Sequence, residues 1–397
     1  MFNWEIEMKN LLTTSVLAAL VSTPLFSGGW ETGRLDNSFM YEDGGYGQFG
    51  VLSVNYDVGA NIQHPLAPKH KMAKNQSRTA FAVKMGLGNF DLGLTRYHSG
   101  AIQLDGQGGN LEGCNPATAA IALCSVVPSA DVTIYSTAAL ARYSINENMS
   151  VFAGLNQFAL GDSVVTTIAG HYKVDAKSAN VTVYGAAYER PDIALRVEAV
   201  FQEETNTPLA ASSSLSPLLP TTPITGANYT IPETITLNFQ SGIAKDTLVF
   251  GSVHQQNWNT AQIVIPANPN GINPATFAAD APVSAVGSSF SDKTSYSIGL
   301  GRKMSDKLSL SISYSQEDGS GPTTDDPFTL SDGSQGITIG ARYSLANNMT
   351  ISAGYNYTTA GDVKVVHEVA PGVPSGLTAD YKDNTTSALG VRLAFNF

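Results

Sequence analysis

From residue 46 onward the chain alternates with a period of two. In Lys307–Ser315, Leu308, Leu310, Ile312 and Tyr314 take turns with Ser309, Ser311, Ser313 and Ser315. Ile337, Ile339, Ala341 and Tyr343 alternate in the same way with Gly336, Thr338, Gly340 and Arg342. Met349–Tyr357, Ile193–Gln202 and Ile235–Gln240 repeat the pattern. In Ser387–Phe397, Leu389, Val391, Leu393, Phe395 and Phe397 share one parity; Ala388, Gly390, Arg392, Ala394 and Asn396 share the other. Successive side chains of a strand point to opposite faces. Each segment therefore predicts a strand with one apolar face and one small or polar face. Helical periodicity is nearly absent.

The connections alternate too, short then long. Turn-forming residues mark six short connections, at Gly88-Asn89, Asn146–Asn148, Arg190–Asp192, Lys245-Asp246, Ser305-Asp306 and Asn347-Asn348. Between them lie seven long segments rich in Pro, Gly, Ser and Asp, near 60–76, 100–130, 162–173, 205–231, 259–291, 318–334 and 363–382. Thirteen connections imply fourteen strands, with both termini on the short-turn side. Short turns on one side and long loops on the other are the pattern of an outer-membrane β-barrel. So many long loops count against a compact soluble domain. The hairpin reading gains from an internal echo: Ala141–Asn156, ARYSINENMSVFAGLN, resembles Ala341–Asn356, ARYSLANNMTISAGYN. Tyr143 and Tyr343 sit just before their turns, where an aromatic girdle falls.

Composition sharpens this. Only 14% of residues are charged, against roughly 25% in soluble domains. The polar parity is Ser, Thr, Gly and Asn, not the Lys and Glu of a soluble sandwich. The net charge of −11 argues against nucleic acid as a partner, because phosphate binding needs clustered Lys and Arg. The N-terminus reads as a signal peptide over residues 1–27, its start at Met1 or Met8: Lys9 precedes the apolar run Leu11–Val21, too short to cross a bilayer as a helix. Residues 28–45 form a short plug-like segment and 46–397 the barrel. In an exported chain, Cys114 and Cys124 are expected to form a disulfide within one surface loop; their spacing lacks the doublets of a zinc site. The six histidines are scattered, and no HExxH or GxSxG pattern occurs, so neither an enzyme nor a metal or cofactor is expected.

Charges on the polar parity define the candidate site. Lys84, Arg196, Glu198, Arg342 and Arg392 point into the lumen if the apolar parity meets lipid. The reverse would cost about 2–4 kcal/mol for each mid-membrane cation. Two readings stand side by side: Arg196, Arg342 and Arg392 receive a carboxylate head group, or they belong to internal networks such as Arg196 with Glu198. Phe152 and Val200 offer apolar lumen contacts. Phe39, Met40 and Tyr41 could line or block a passage. Leu215, Leu218, Leu219 and Ile263–Ile265 near Trp258 are candidates for an outer capture groove.

Four segments carry a family resemblance: Phe39–Phe49 (FMYEDGGYGQF), Tyr188–Val197 (YERPDIALRV), Gln240–Val253 (QSGIAKDTLVFGSV) and Leu389–Phe397 (LGVRLAFNF). Together they resemble the FadL-type outer-membrane transport proteins, from about residue 28 to Phe397. The resemblance implies a fourteen-stranded barrel that takes up long-chain fatty acids or other hydrophobic small molecules without energy from the outer membrane. Its partners would be outer-membrane lipid, lipopolysaccharide and the barrel-insertion machinery, for which a terminal aromatic residue is suited. The segment before the first strand is shorter than the family's luminal hatch. A general diffusion porin for small hydrophilic solutes and a structural or adhesive surface barrel are the alternative readings.

Overall fold

The alternating segments close into an antiparallel barrel in the computed structural model. It describes residues 31–62, 70–105, 129–167, 170–273, 276, 278–326, 328–346, 348–370 and 373–397. The barrel strands are β1 (Tyr46–Asp57), β2 (Gln76–Leu87), β3 (Phe90–Asp105), β4 (Ser129–Ser144), β5 (Met149–Leu160), β6 (Lys177–Arg190) and β7 (Leu195–Gln202). They continue as β8 (Thr234–Ala244), β9 (Thr247–Gln256), β10 (Lys293–Lys303), β11 (Leu308–Glu317), β12 (Ser334–Ala346), β13 (Met349–Ala360) and β14 (Thr385–Asn396). Each pairs with the next. β14 returns to β1 from Tyr46↔Asn396 to Asp57↔Thr385, so the barrel has fourteen strands and its sheet has no free edge. Five of the six short connections fall where their turn residues stand, and Asn348 of the sixth lies between β12 and β13. Gly88 and Asp246 take the left-handed conformation, at φ of 68° and 60°, that tight hairpins need. The expected leader and the Cys114–Cys124 pair lie outside the described residues.

The parity holds through the wall. Leu389, Val391, Leu393, Phe395, Ile312, Ile337 and Leu237 all face outward and are exposed. An apolar band of this extent on a closed barrel is a lipid-facing surface; in water it would be an aggregation liability. No helix of the described residues is long and apolar enough to cross a membrane; the strands do so, their backbone groups paired along the ladders between neighbours except at one seam described below.

The long connections are more ordered than their composition suggests. Thr205–Pro208, Asn228–Ile231, Ile263–Ile265 and Val286–Gly287 form a four-stranded sheet above the barrel. Val363–Ala370 and Val373–Tyr381 form a hairpin against Gly59–Ile62. These segments are short β-branched runs among prolines and glycines, too brief to show alternation. Trp258 packs edge-on against Phe290, ring centres 5.4 Å apart, and is buried. Leu215, Leu218 and Val264 remain exposed.

Candidate functional site

The lumen is occupied by the segment Gly33–Gly45, which we call the hatch. It enters beside β3, where Glu31–Thr32 pairs with Gly100–Ala101 and the Gly33 amide donates to the Ser99 carbonyl at 3.0 Å. It ends against the closing strand. The Gly45 amide donates to the Phe397 carbonyl (3.2 Å), and the Phe397 amide donates back to Gly45 (2.9 Å). Between these anchors Ser38–Tyr41 makes one 3-10 turn with Phe39 and Met40 fully buried.

Gly93 of β3 makes room for that turn. A Cβ there would stand 2.2 Å from the Met40 sulfur and 2.7 Å from the Phe39 ring. On the other side Glu198 of β7 holds the hatch. Its Oε1 accepts from Asn37 Nδ2 (2.7 Å) and from the Tyr41 hydroxyl, and its Oε2 accepts from Asn238 Nδ2 (2.8 Å). Glu198 is buried, so these donors replace its lost hydration. The Tyr41 ring carries two guanidiniums, Arg142 and Arg196, each 4.3 Å from its centre. Arg142 also donates to the Met40 carbonyl and pairs with Asp91 (3.2 Å) and Glu189 (2.7 Å). Lys84 donates to the Glu42 carbonyl and pairs with Asp91 at 3.1 Å.

The three arginines singled out from sequence all point inward but are not brought to one site. Arg196 is committed to the Tyr41 ring and lies 3.4 Å from Gln240 Oε1. Arg392 donates to Gln48 Oε1 at 3.2 Å. Arg342 and Arg392 both lie in the field of Glu42, toward the short-turn end. Phe152 is buried in the lumen-side apolar cluster, and Val200 is half-buried against it. The anticipated Arg196–Glu198 pairing gives way to hatch residues: Asn37 and Tyr41 take the carboxylate.

Two cavities adjoin the hatch strand at Gly33–Leu35. The smaller, about 60 Å³, is lined by Tyr97, Phe158, Val183, Val200 and Ile231 together with the polar Ser99, Gln202, Thr236, His254 and Gln256. The larger, about 120 Å³, runs along Ser252, Ser295, Ser297, Ser315, Glu317 and Arg196. Arg34 lines both and donates to Ser252 Oγ at 3.0 Å. Sequence reasoning missed Arg34, since an irregular segment has no periodicity to mark a side chain as inward-facing.

The wall beside the smaller cavity is broken. β2 and β3 pair only from Phe81↔Arg96 to Leu87↔Phe90, although Gln76–Ala80 still pairs with β1. β3 carries a bulge at His98–Gly100. Beyond it the next link is a single bridge, Ala73↔Leu104. Among the described residues this is the seam where two neighbouring barrel strands separate for several residues, and Tyr97 and Ser99 line both seam and cavity.

This wall, luminal hatch and broken seam can be set beside known structures. A Pseudomonas aeruginosa FadL homologue superposes with a TM-score of 0.71 over 96% of this chain and 98% of its own, at 11% identity. The fold is that of the FadL-type barrel. The Pseudomonas putida toluene transporter TodX has the FadL-type barrel at a TM-score of 0.62 and 12% identity, over 96% of this chain and 97% of its own. The Ralstonia pickettii toluene transporter TbuX shares it at 0.57 and 12%, over 91% of both chains. No protein-family model and no curated protein matches the sequence. The expected fourteen-stranded barrel thus has a structural counterpart at very low sequence identity.

Proposed function

We propose that this barrel passes hydrophobic small molecules across a Gram-negative outer membrane, driven only by their concentration gradient. The observation that carries the proposal is the apolar cavity under Ile231 and Val200, which abuts the broken β2–β3 seam at Ser99. A molecule captured among the outer loops, where Leu215, Leu218 and Val264 are exposed, would enter this cavity. It would then leave sideways through the seam into lipid, never crossing a continuous aqueous pore. TodX and TbuX, which share the fold, are named as toluene transporters; the apolar part of the lining suits such cargo, for which the cavity must widen beyond its 60 Å³. Long-chain fatty acids are the finer reading. Their carboxylate would meet Arg34 first, because Arg34 reaches the apolar cavity while Arg196, Arg342 and Arg392 lie deeper. In this reading Phe39 and Met40 hold the hatch in place and Phe152 and Val200 shape the apolar wall. The outer-membrane setting brings lipid, lipopolysaccharide and the insertion machinery as partners, and Phe397 is exposed at the rim.

Uptake of radiolabelled oleate and of toluene, in a deletion strain with and without the gene, tests this. Both should fall in the deletion, and Val200→Asp should fail to restore either. Arg34→Leu should lower oleate uptake while leaving toluene uptake intact. Unchanged uptake of every hydrophobic solute on deletion refutes transport; equal loss of both cargoes with Arg34→Leu refutes the head-group role.

A further inference from the structure

We infer that the side of the lumen facing β10–β13 is a second, hydrophilic conduit, which passes water, small cations and small neutral polar solutes beside the hydrophobic route. Three observations converge. First, the inward parity of these strands is polar or glycine apart from Ala360 at the outer end of β13, with the Phe250 ring of neighbouring β9 lying over Gly299. It reads Ser295, Ser297, Gly299 and Gly301 on β10, and Ser309, Ser311, Ser313 and Ser315 on β11. On β12 it reads Gly336, Thr338, Gly340 and Arg342, and on β13 Ser352, Gly354, Asn356 and Thr358. A wall of hydroxyls, amides and bare backbone holds water; the apolar groups of the adjoining cavity come from Leu35 of the hatch and Phe250 of β9.

Second, the hatch does not fill this side. The 120 Å³ cavity lies between it and the serine wall, room for several waters. Outward, an open vestibule of about 320 Å³ shares Glu317 and Ser334 with that cavity. Polar residues therefore line both spaces, from the rim to the level of Arg196, with Glu317 and Ser334 standing between them. Glu317 stands at the junction, with Oε2 accepting from Ser295 at 3.0 Å and a buried Oε1 that no protein donor reaches.

Third, the charge has a sign. Asp318 and Asp332 line the vestibule, and Asp36 and Glu198 line the cavity. Within the cavity Arg34 and Arg196 offset Asp36 and Glu198, so the unbalanced negative charge lies at the vestibule. Lys293 at the rim is turned to the Asp318 carbonyl and Ser320. An acidic mouth raises the local concentration of cations and repels anions.

Purified barrel in planar lipid bilayers tests the inference. A small current above that of protein-free membranes is expected, with a reversal potential of cation-selective sign in a KCl gradient. Asp318→Asn with Asp332→Asn should move that potential toward zero. Ser313→Trp with Thr338→Trp should abolish the current while proteoliposome uptake of toluene is unchanged, since those residues lie across the lumen from Val200. In the unmodified barrel, saturating toluene should leave the current intact. Three results would each overturn the inference: no current above the protein-free control, a current that saturating toluene blocks, or tryptophans that stop toluene uptake as well. Hydrophobic uptake that fails while the current persists would overturn the transport reading and leave the conduit standing.

Discussion

The two sides of the lumen are built on the same wall and could hardly differ more. On β4–β6 the inward parity carries Ala130, Val132, Ile134, Ala138, Leu140, Phe152, Phe158, Val181 and Val183, all buried. Across the barrel, β10–β13 offers serine, threonine, asparagine and glycine at the equivalent positions. Outward, both sides present the same apolar band. Lipid thus constrains one parity everywhere, while the other parity is free to differ from strand to strand. The hatch reads that difference: Phe39 and Met40 dock by packing on the β2–β4 side, whereas toward β10–β13 the hatch leaves space.

The hardest way to break this arrangement is to cut the clasp between the two sides. Glu198→Ala would leave Asn37, Tyr41 and Asn238 without their shared acceptor, and removing one member of a buried charged network costs about 3–5 kcal/mol. The hatch should detach, seen as new protease cleavage between residues 33 and 45 and as a larger bilayer current. A hatch as protected as in the unmodified protein would mean that packing alone holds it. A smaller effect is expected from the apolar side. Gly93→Val would push a branched side chain into Met40 and Phe39, and overpacking of this kind costs about 1–3 kcal/mol. Lowered urea resistance with an unchanged barrel signature on gels would place the damage in the hatch seat; no change in either would show the seat to be loose.

The smallest effect sharpens the comparison at the rim over the polar side. Asp326 joins two outer loops, accepting from the Ser289 amide at 2.9 Å and the Phe328 amide at 2.8 Å. Burial pushes its carboxyl up to about 6, from an ordinary value near 3.8. A folded pKa above the unfolded one means that the native state binds the extra proton. The loop contact is then firmest below about pH 4 and weakens as pH rises through about 6. Hydrogen exchange at Ser289 and Phe328, corrected for intrinsic rate, should be slower at pH 5 than at pH 7.5. Asp326→Asn should remove the difference; a pH dependence that survives this change would assign it to another group.

Much of the wall was legible in the sequence because lipid and turns act locally. Leu308–Ser315 alternates without interruption, and Gly88-Asn89 or Lys245-Asp246 cannot easily continue a strand. The inward direction of Arg196, Glu198, Arg342 and Arg392 followed from the same parity. What those residues touch did not follow, because it depends on where the hatch crosses the lumen. Glu198 looked like a partner for Arg196, two residues away in the same strand, yet it meets Asn37 and Tyr41 from a segment more than 150 positions earlier. Arg34 went unnoticed for the same reason. The bulge at His98–Gly100 was equally hidden, since one extra residue shifts parity within a stretch where the outer loops and Glu31–Thr32 already bury both faces.

The reciprocal bonds between Gly45 and Phe397 have a kinetic side. Asn396 also donates to the Asp43 carbonyl, across 353 positions of sequence. The contacts that close the barrel and those that tether the inner end of the hatch therefore join residues near opposite ends of the chain. Pairings of such high contact order form late, after the entropy of a very large loop has been overcome. Until then β1 and β14 each carry an unpaired edge, open to any other strand nearby. Sealing the wall and fastening the plug thus become a single final step. A chain stalled before that step would be both leaky and adhesive, which makes the last strand the natural place for assisted folding to act.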